Sequence, residues 1–140
     1  MIAYVDSSVV LRLVLGQEGK LRQWKSIDRG ISSALLEVEC LRTLHRFRLA
    51  HGLSDEDHVR RCTAVYAILD ELDVVDITRQ VLSRASQPMP TSLGTLDAVH
   101  LATALLWREQ SDEPLIMATH DEALGRAAQA FGFGVIGTDH

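Results

Sequence analysis

Two patterns of apolar positions alternate along the chain: short unbroken apolar runs, and longer stretches in which apolar residues recur every three or four positions. IAYV, residues 2–5, is of the first kind and predicts a strand buried on both faces. Ser7 and Ser8 follow as helix caps, and Val9, Val10, Leu13 and Val14 stand at helical spacing, so strand gives way to helix at Asp6. Gly16 and Gly19 break that period, and a second short helix is predicted over 20–28 with Leu21, Trp24 and Ile27 on one side. Residues 30–33 read as a strand, followed by a long helix over 34–50 whose apolar stripe is Leu36, Cys40, Thr43, Leu44 and Phe47. Gly52 ends it. Ser54, with Asp57 three positions on, resembles a capping box opening a helix whose inner face holds Val59, Cys62, Tyr66 and Leu69.

The second half repeats the alternation. DVVDI predicts a strand at 73–77, and Thr78 caps a short helix bearing Val81, Leu82 and Ala85. Pro88, Pro90 and Gly94 mark a loop. TLDAVHLATALLW is helical, with Ala98, Leu101, Ala102 and Leu105 at i, i+3, i+4 and i+7; PLIMAT is a buried-strand run, HDEALGRAAQAF is helical again, and FGFGVIG closes with a strand. Buried strands alternating with helices predict an α/β fold, a three-layer sandwich with a mostly parallel central sheet flanked by helices. With no repeat, linker or low-complexity tract in 140 residues, residues 1–140 are expected to form one domain.

Composition narrows the function classes. The apolar runs are all broken by charge or glycine before the roughly 18 residues of a membrane span, and MIAYVD has no basic segment of the kind that opens an export signal. Cys40 and Cys62 fit neither a CxxC pair nor a disulfide framework, so a cytoplasmic protein with reduced thiols is expected. The net charge of −5 argues against broad adhesion to nucleic acid. Its distribution is uneven: residues 1–70 carry ten basic and nine acidic side chains, residues 71–140 four and ten. An anionic ligand would be held from the first half, where Lys20, Arg22, Lys25 and Arg29 form one basic group and Arg42, Arg46 and Arg48 another.

Four acids stand out by position: Asp6 after the first strand, Glu39 in the long helix, Asp97 in the first turn of its helix, and Asp121 after the LIMAT strand. Singly, each has an ordinary explanation as an N-cap, a first-turn acid or a partner of a neighbouring arginine. Together they carry more, because junctions after parallel strands share the carboxyl-terminal edge of the sheet, where open α/β folds bind ligands. Glu39, Arg42 and Arg46 line up at i, i+3 and i+7 beside the apolar stripe and bring two cations to the same edge. Converging carboxylates repel and raise one another's pKa unless a hard, oxygen-preferring ion such as Mg²⁺ or Mn²⁺ holds them.

The segments YVDSSVVLRLVL, SSALLEVECLRTL, TLDAVHLATAL and MATHDEALGRAAQAFGFGV resemble, in order, the four motif blocks of the PIN-domain family, and within it the VapC-type toxins of bacterial toxin–antitoxin pairs. The resemblance spans nearly the whole chain, and the blocks around Asp97 and Asp121 are its most specific parts. It implies that Asp6, Glu39, Asp97 and Asp121 are the catalytic, metal-binding acids. Thr119 matches the polar residue on the last active-site strand, and Ser7 or Ser8 the small hydroxyl after the first Asp, both on the substrate side with Arg42 and Arg46. It further implies Mg²⁺-dependent cleavage of single-stranded RNA, with Mn²⁺ as a substitute, a homodimer, and inhibition by a VapB-type antitoxin. The apolar N-terminal helices are expected to offer that antitoxin a groove.

Other chemistries fail on required residues. A phosphatase with an aspartyl nucleophile after strand one needs a second Asp at position 8, which is Ser; a dinucleotide fold needs a glycine-rich turn where DSSVV stands; a receiver domain needs a late lysine, and the only lysines are Lys20 and Lys25. The alternative that survives is of another class, a PIN-fold binding or regulatory protein without turnover. His100 reads as a packed residue able to orient a carboxylate, and His120 is left without a role.

Overall fold

The computed structural model describes residues 1–138. In chain order the elements are β1 (Ile2–Val5), α1 (Ser7–Leu15), β2 (Arg29–Ser33), α2 (Leu35–His51), α3 (Asp55–Glu71), β3 (Asp73–Val75), α4 (Arg79–Ala85), α5 (Thr95–Ser111), β4 (Ile116–Ala118), α6 (Glu122–Ala130) and β5 (Gly134–Ile136). The strands form one sheet in the order β3-β2-β1-β4-β5, and every neighbouring pair is parallel. β1 is therefore central, with Ala3 beside Gly30 on one flank and Ile116 on the other.

Period-two alternation along β1 divides the core into the two layers a sandwich requires. Tyr4 joins Ile31, Leu101, Leu105, Met117 and Leu124 on the side of α5 and α6. Ala3 and Val5 join Val9, Leu36, Cys40, Leu44 and Val65 on the side of α1, α2 and α3. The predicted three-layer architecture is the observed one, and the long-helix stripe packs as expected, with Leu36, Cys40 and Leu44 at most 1% exposed. Burial pushes the Cys40 thiol up to about 12, with the charges of Glu39 and Asp6 adding to the effect.

Two expectations fail. The predicted helix over 20–28 is not formed: only a single 3₁₀ turn, Trp24–Ser26, stands in an otherwise irregular segment between Gly19 and β2. Leu21 is buried, and Trp24 and Ile27 pack on the core beside Leu13 and Val14, so the apolar spacing reflects three separate anchors of a loop. In α3 the inner face is rotated from the predicted one. Val65 is its fully buried residue, with Cys62, Ile68 and Leu69 beside it, while Val59 and Tyr66 are 60% and 46% exposed. Leu69 and Cys62 belong to both stripes, which is why spacing alone selected the wrong neighbours.

The same topology places the ends of β1, β2 and β4 along one edge, each leading into a helix that carries one of the predicted acids or its neighbours. Arg29, at the start of β2, lies on the opposite edge, paired with Asp73 at 2.6 Å and with Glu113 at 3.7 Å. The basic group suggested by the sequence is thus split between the two edges. Arg48 is likewise taken by an ion pair with Asp55. Among the described residues no helix is long and apolar enough to cross a membrane.

Candidate active site

Asp6 caps α1, as its place between strand and helix predicts, but capping is its weakest contact. One carboxylate oxygen, Oδ1, accepts the Val9 amide at 3.4 Å and the Ser8 hydroxyl at 2.6 Å; the other, Oδ2, accepts the Thr119 hydroxyl at 2.7 Å. Both hydroxyls are themselves held. Ser8 Oγ accepts the amide of His120 at 2.9 Å, and Thr119 Oγ1 accepts the amide of Asp121 at 3.0 Å. Each hydroxyl has one proton, and the backbone donors leave that proton to Asp6. Asp6 is only 3% exposed, and burial raises its pKa even though the Ser8 and Thr119 bonds and the Val9 amide oppose the rise.

Glu39 is oriented differently. Its Oε1 lies 2.5 Å from His100 Nε2, and His100 Nδ1 lies 2.6 Å from the hydroxyl of Tyr4. Tyr4 is wholly buried in the central strand, which together with the charge of Asp6 raises its pKa well above the ordinary value of 10.0. Its hydroxyl keeps its proton, and the His100 ring bridges it to Glu39 through its two nitrogens. A buried chain from sheet to helix thus aims the carboxylate. The contact of His100 with Glu39 is the one expected of a packed residue that orients a carboxylate. Tyr4 was not singled out; its signal was a phenol in a strand expected to be buried, where the hydroxyl needs a partner.

Asp97 lies in the first turn of α5, after Gly94, and Asp121 caps α6 by accepting the Leu124 amide at 3.0 Å. The Asp97 carboxyl is pushed up from its ordinary 3.8 to about 6, first by burial and then by the charges of Asp121, Asp6 and Glu39, with His100 opposing. Ser8 and Thr119, which hold the Asp6 carboxylate, also accept the amides of His120 and Asp121, so Asp6 and Asp121 stand side by side at the sheet edge. Their side chains do not form a ready-made metal cluster: among the described residues no three His, Cys, Asp or Glu groups converge closely enough to hold an ion as they stand. The donor set nevertheless fits a hard divalent cation, being all carboxylate, with Asp6 and Asp97 raised in pKa first by burial and, at Asp97, by neighbouring acids as well, an effect that a cation would oppose.

Beside the acids runs a groove of about 330 Å³ lined by Ser7, Glu39, Arg42, Arg46 and Leu96. Arg42 and Arg46 are exposed, and Arg46 donates to Thr43 at 3.2 Å. Val38 and Leu96, at 52% and 51% exposed, give the groove apolar shoulders. Ser7 is on the groove, whereas Thr119 is wholly buried behind Asp6. The sequence left Ser7 and Ser8 as equals; Ser8 is the one bonded to Asp6.

A parallel five-stranded sandwich with carboxylates gathered along its carboxyl edge defines a class, and the PIN-domain family model matches residues 3–130. The chain belongs to the PIN-domain family. It is 31% identical over 136 residues to ribonuclease VapC46 of Mycobacterium tuberculosis, covering 95% of both chains. It is 32% identical over 139 residues to ribonuclease VapC35 of the same organism, covering 95% of this chain and 94% of that one. In three dimensions it is similar to M. tuberculosis VapC20, described as a toxin cleaving the sarcin–ricin loop, with a TM-score of 0.63, 20% identity and 94% and 95% of the two chains covered. A toxin–antitoxin complex from Klebsiella pneumoniae aligns with a TM-score of 0.66 at 16% identity, covering 95% and 94%. The resemblance read from the four motif blocks, to VapC-type ribonucleases, is therefore the one the relatives bear.

Proposed function

We propose that this protein is a Mg²⁺-dependent endoribonuclease toxin that hydrolyses single-stranded RNA and is held inactive by a VapB-type antitoxin. The observation that carries the reading is the pair of polar networks at the carboxyl edge of the sheet: Ser8 and Thr119 hold Asp6, with Thr119 also bonded to the Asp121 amide, and Tyr4 with His100 holds Glu39. Asp6, Glu39, Asp97 and Asp121 would hold the divalent ion, Mg²⁺ or in its place Mn²⁺. When bound, such an ion lowers the pKa of water and stabilises charge on the attacking and leaving oxygens of a phosphodiester.

The chain's own residues supply position and charge. Ser8 and Thr119 hold Asp6 from both sides, and His100 with Tyr4 holds Glu39, so two of the acids are pre-oriented before substrate arrives. Arg42 and Arg46 offer the RNA backbone a cationic wall next to Glu39. The apolar shoulders Val38 and Leu96 suit an apolar antitoxin segment ending in Arg or Lys, a cation able to pair with the acids. The active unit is a cytoplasmic homodimer in this reading.

Purified protein incubated with single-stranded RNA tests it. Cleavage in Mg²⁺, its loss in EDTA, and products with 5′-phosphate and 3′-hydroxyl ends are expected. Cyclic 2′,3′-phosphate ends would assign attack to the ribose hydroxyl and remove metal-assisted hydrolysis. RNA binding without cleavage in Mg²⁺ or Mn²⁺ would favour the regulatory alternative.

A further inference from the structure

On the far side of α1 from the Arg42 groove lies a cavity of about 400 Å³, lined by Arg12, Lys20, Arg22 and His120 together with Gly19 and Gly137. No acidic side chain is among its described lining residues, in a protein of net charge −5. Two glycines build it. Gly19 has φ +77°, and its carbonyl accepts the Arg12 guanidinium at 3.1 Å, which fixes Arg12 across the loop. Gly137 has φ +102°, and a Cβ there would stand 2.4 Å from the Thr119 carbonyl oxygen, so only glycine lets the chain approach. That approach seats the Gly137 carbonyl 2.8 Å from His120 Nδ1.

A carbonyl only accepts, so Nδ1 donates and the ring orientation is set. His120 is 8% exposed, and its Nε2 is a buried polar atom with no partner. Such an atom is costly unless a ligand uses it. The ring that carries it forms one wall of the cavity, beside Arg12, Lys20 and Arg22, where a ribose phosphate would pack. The backbone of His120 is tied to Ser8, and the next residue is Asp121, so the cavity adjoins the catalytic edge directly.

We propose that this cavity is a second ribose-phosphate subsite, which holds the RNA strand on the side of the acids opposite Arg42 and Arg46. It rests on the ribonuclease reading above and adds a defined path: Arg42 and Arg46, the acidic mouth, then Lys20, Arg22 and His120. The segment 17–23 carries it as an irregular loop, in which Lys20 and Arg22 reach one cavity together.

The test compares wild type, K20Q/R22Q and R42Q/R46Q binding to a single-stranded RNA of about twelve nucleotides and to a dinucleotide. Both are measured against salt in Ca²⁺, with strand integrity checked on a gel and the thermal transition of each variant recorded. K20Q/R22Q is expected to bind the longer strand about tenfold more weakly, its log–log salt slope shallower by roughly 0.7 per lost phosphate contact. Its affinity for the dinucleotide should fall by less, because one phosphate can occupy either the mouth or the cavity but cannot span both. Unchanged longer-strand binding in K20Q/R22Q, while R42Q/R46Q weakens it, would overturn the subsite and leave the ribonuclease reading standing. Equal weakening for both lengths would also overturn it, by showing a disturbance of the mouth. Inorganic phosphate that binds wild type and not K20Q/R22Q, with RNA affinity intact, would reassign the cavity to a free anion and overturn the strand path. Absence of RNA binding by wild type would instead remove the reading on which the subsite rests.

Discussion

Asp97 is the residue whose environment is most informative, because its raised pKa records neighbours as well as burial. Replacing it with Asn removes a ligand charge and relieves repulsion, so Asp97→Asn should keep the fold and lower Mg²⁺-dependent cleavage by on the order of 100-fold or more. The pH dependence of the metal-free protein has a definite sign. A carboxyl with a folded pKa of about 6 against an ordinary 3.8 binds its proton more tightly in the native state, so stability falls as pH rises through that window and levels off above it. Melting temperatures in EDTA should decline between these values in wild type and decline less in Asp97→Asn. A flat profile in both would mean that the Asp97 pKa is not raised in the folded protein. Tyr4→Phe tests the other pre-oriented ligand. It leaves His100 Nδ1 buried without its partner, a cost of about 1–3 kcal/mol, and loosens the aim of Glu39, so cleavage should drop roughly 10- to 100-fold. Normal turnover with a lowered melting temperature would confine Tyr4 to stability.

At the scale of elements, α2 and α3 show what apolar spacing does and does not determine. In α2 the buried side chains and the site side chains occupy adjoining stripes, so Leu36, Cys40 and Leu44 fix the rotation that presents Glu39, Arg42 and Arg46 to the groove. In α3 two stripes were available, and the surrounding layers chose the one through Val65. Val65→Ala should cost about 2 kcal/mol, whereas Val59→Ala, on the exposed face, should stay within about 0.5 kcal/mol; chemical denaturation of the two variants measures the difference, and equal costs would return the inner face to Val59. That the acids follow the strand ends was legible in the sequence because each sits at a fixed offset from a strand end or along one helix, and such offsets survive folding. The cavity around His120 was not. Arg12, Lys20, Arg22 and Gly137 come from a helix, an irregular loop and the end of the last strand, and no period relates them. The Tyr4–His100–Glu39 chain lies between these cases: its members stand on predicted elements, but the contact spans 96 residues and depends on sheet order.

For the whole molecule the outstanding question is how an acidic protein attracts a polyanion. Net charge is −5, and in the ribonuclease reading the four acids would lie around the scissile phosphate. Without a divalent ion, the mouth repels phosphate at short range, where salt screens poorly. With one, the sign of the local field is reduced or reversed, and the cations of the first half of the chain, Arg42 and Arg46 among them, then act on the strand without opposition. Metal should consequently be needed for binding as well as for hydrolysis. Single-stranded RNA should bind about tenfold or more tightly in Ca²⁺ than in EDTA at equal ionic strength. The difference should shrink in Asp97→Asn, which starts with one charge fewer to neutralise. R42Q/R46Q should retain the metal effect while its salt slope flattens, since fewer counterions are released on binding. Equal RNA affinity in Ca²⁺ and EDTA would show that the arginines overcome the acids unaided, and metal would then act in the chemical step alone.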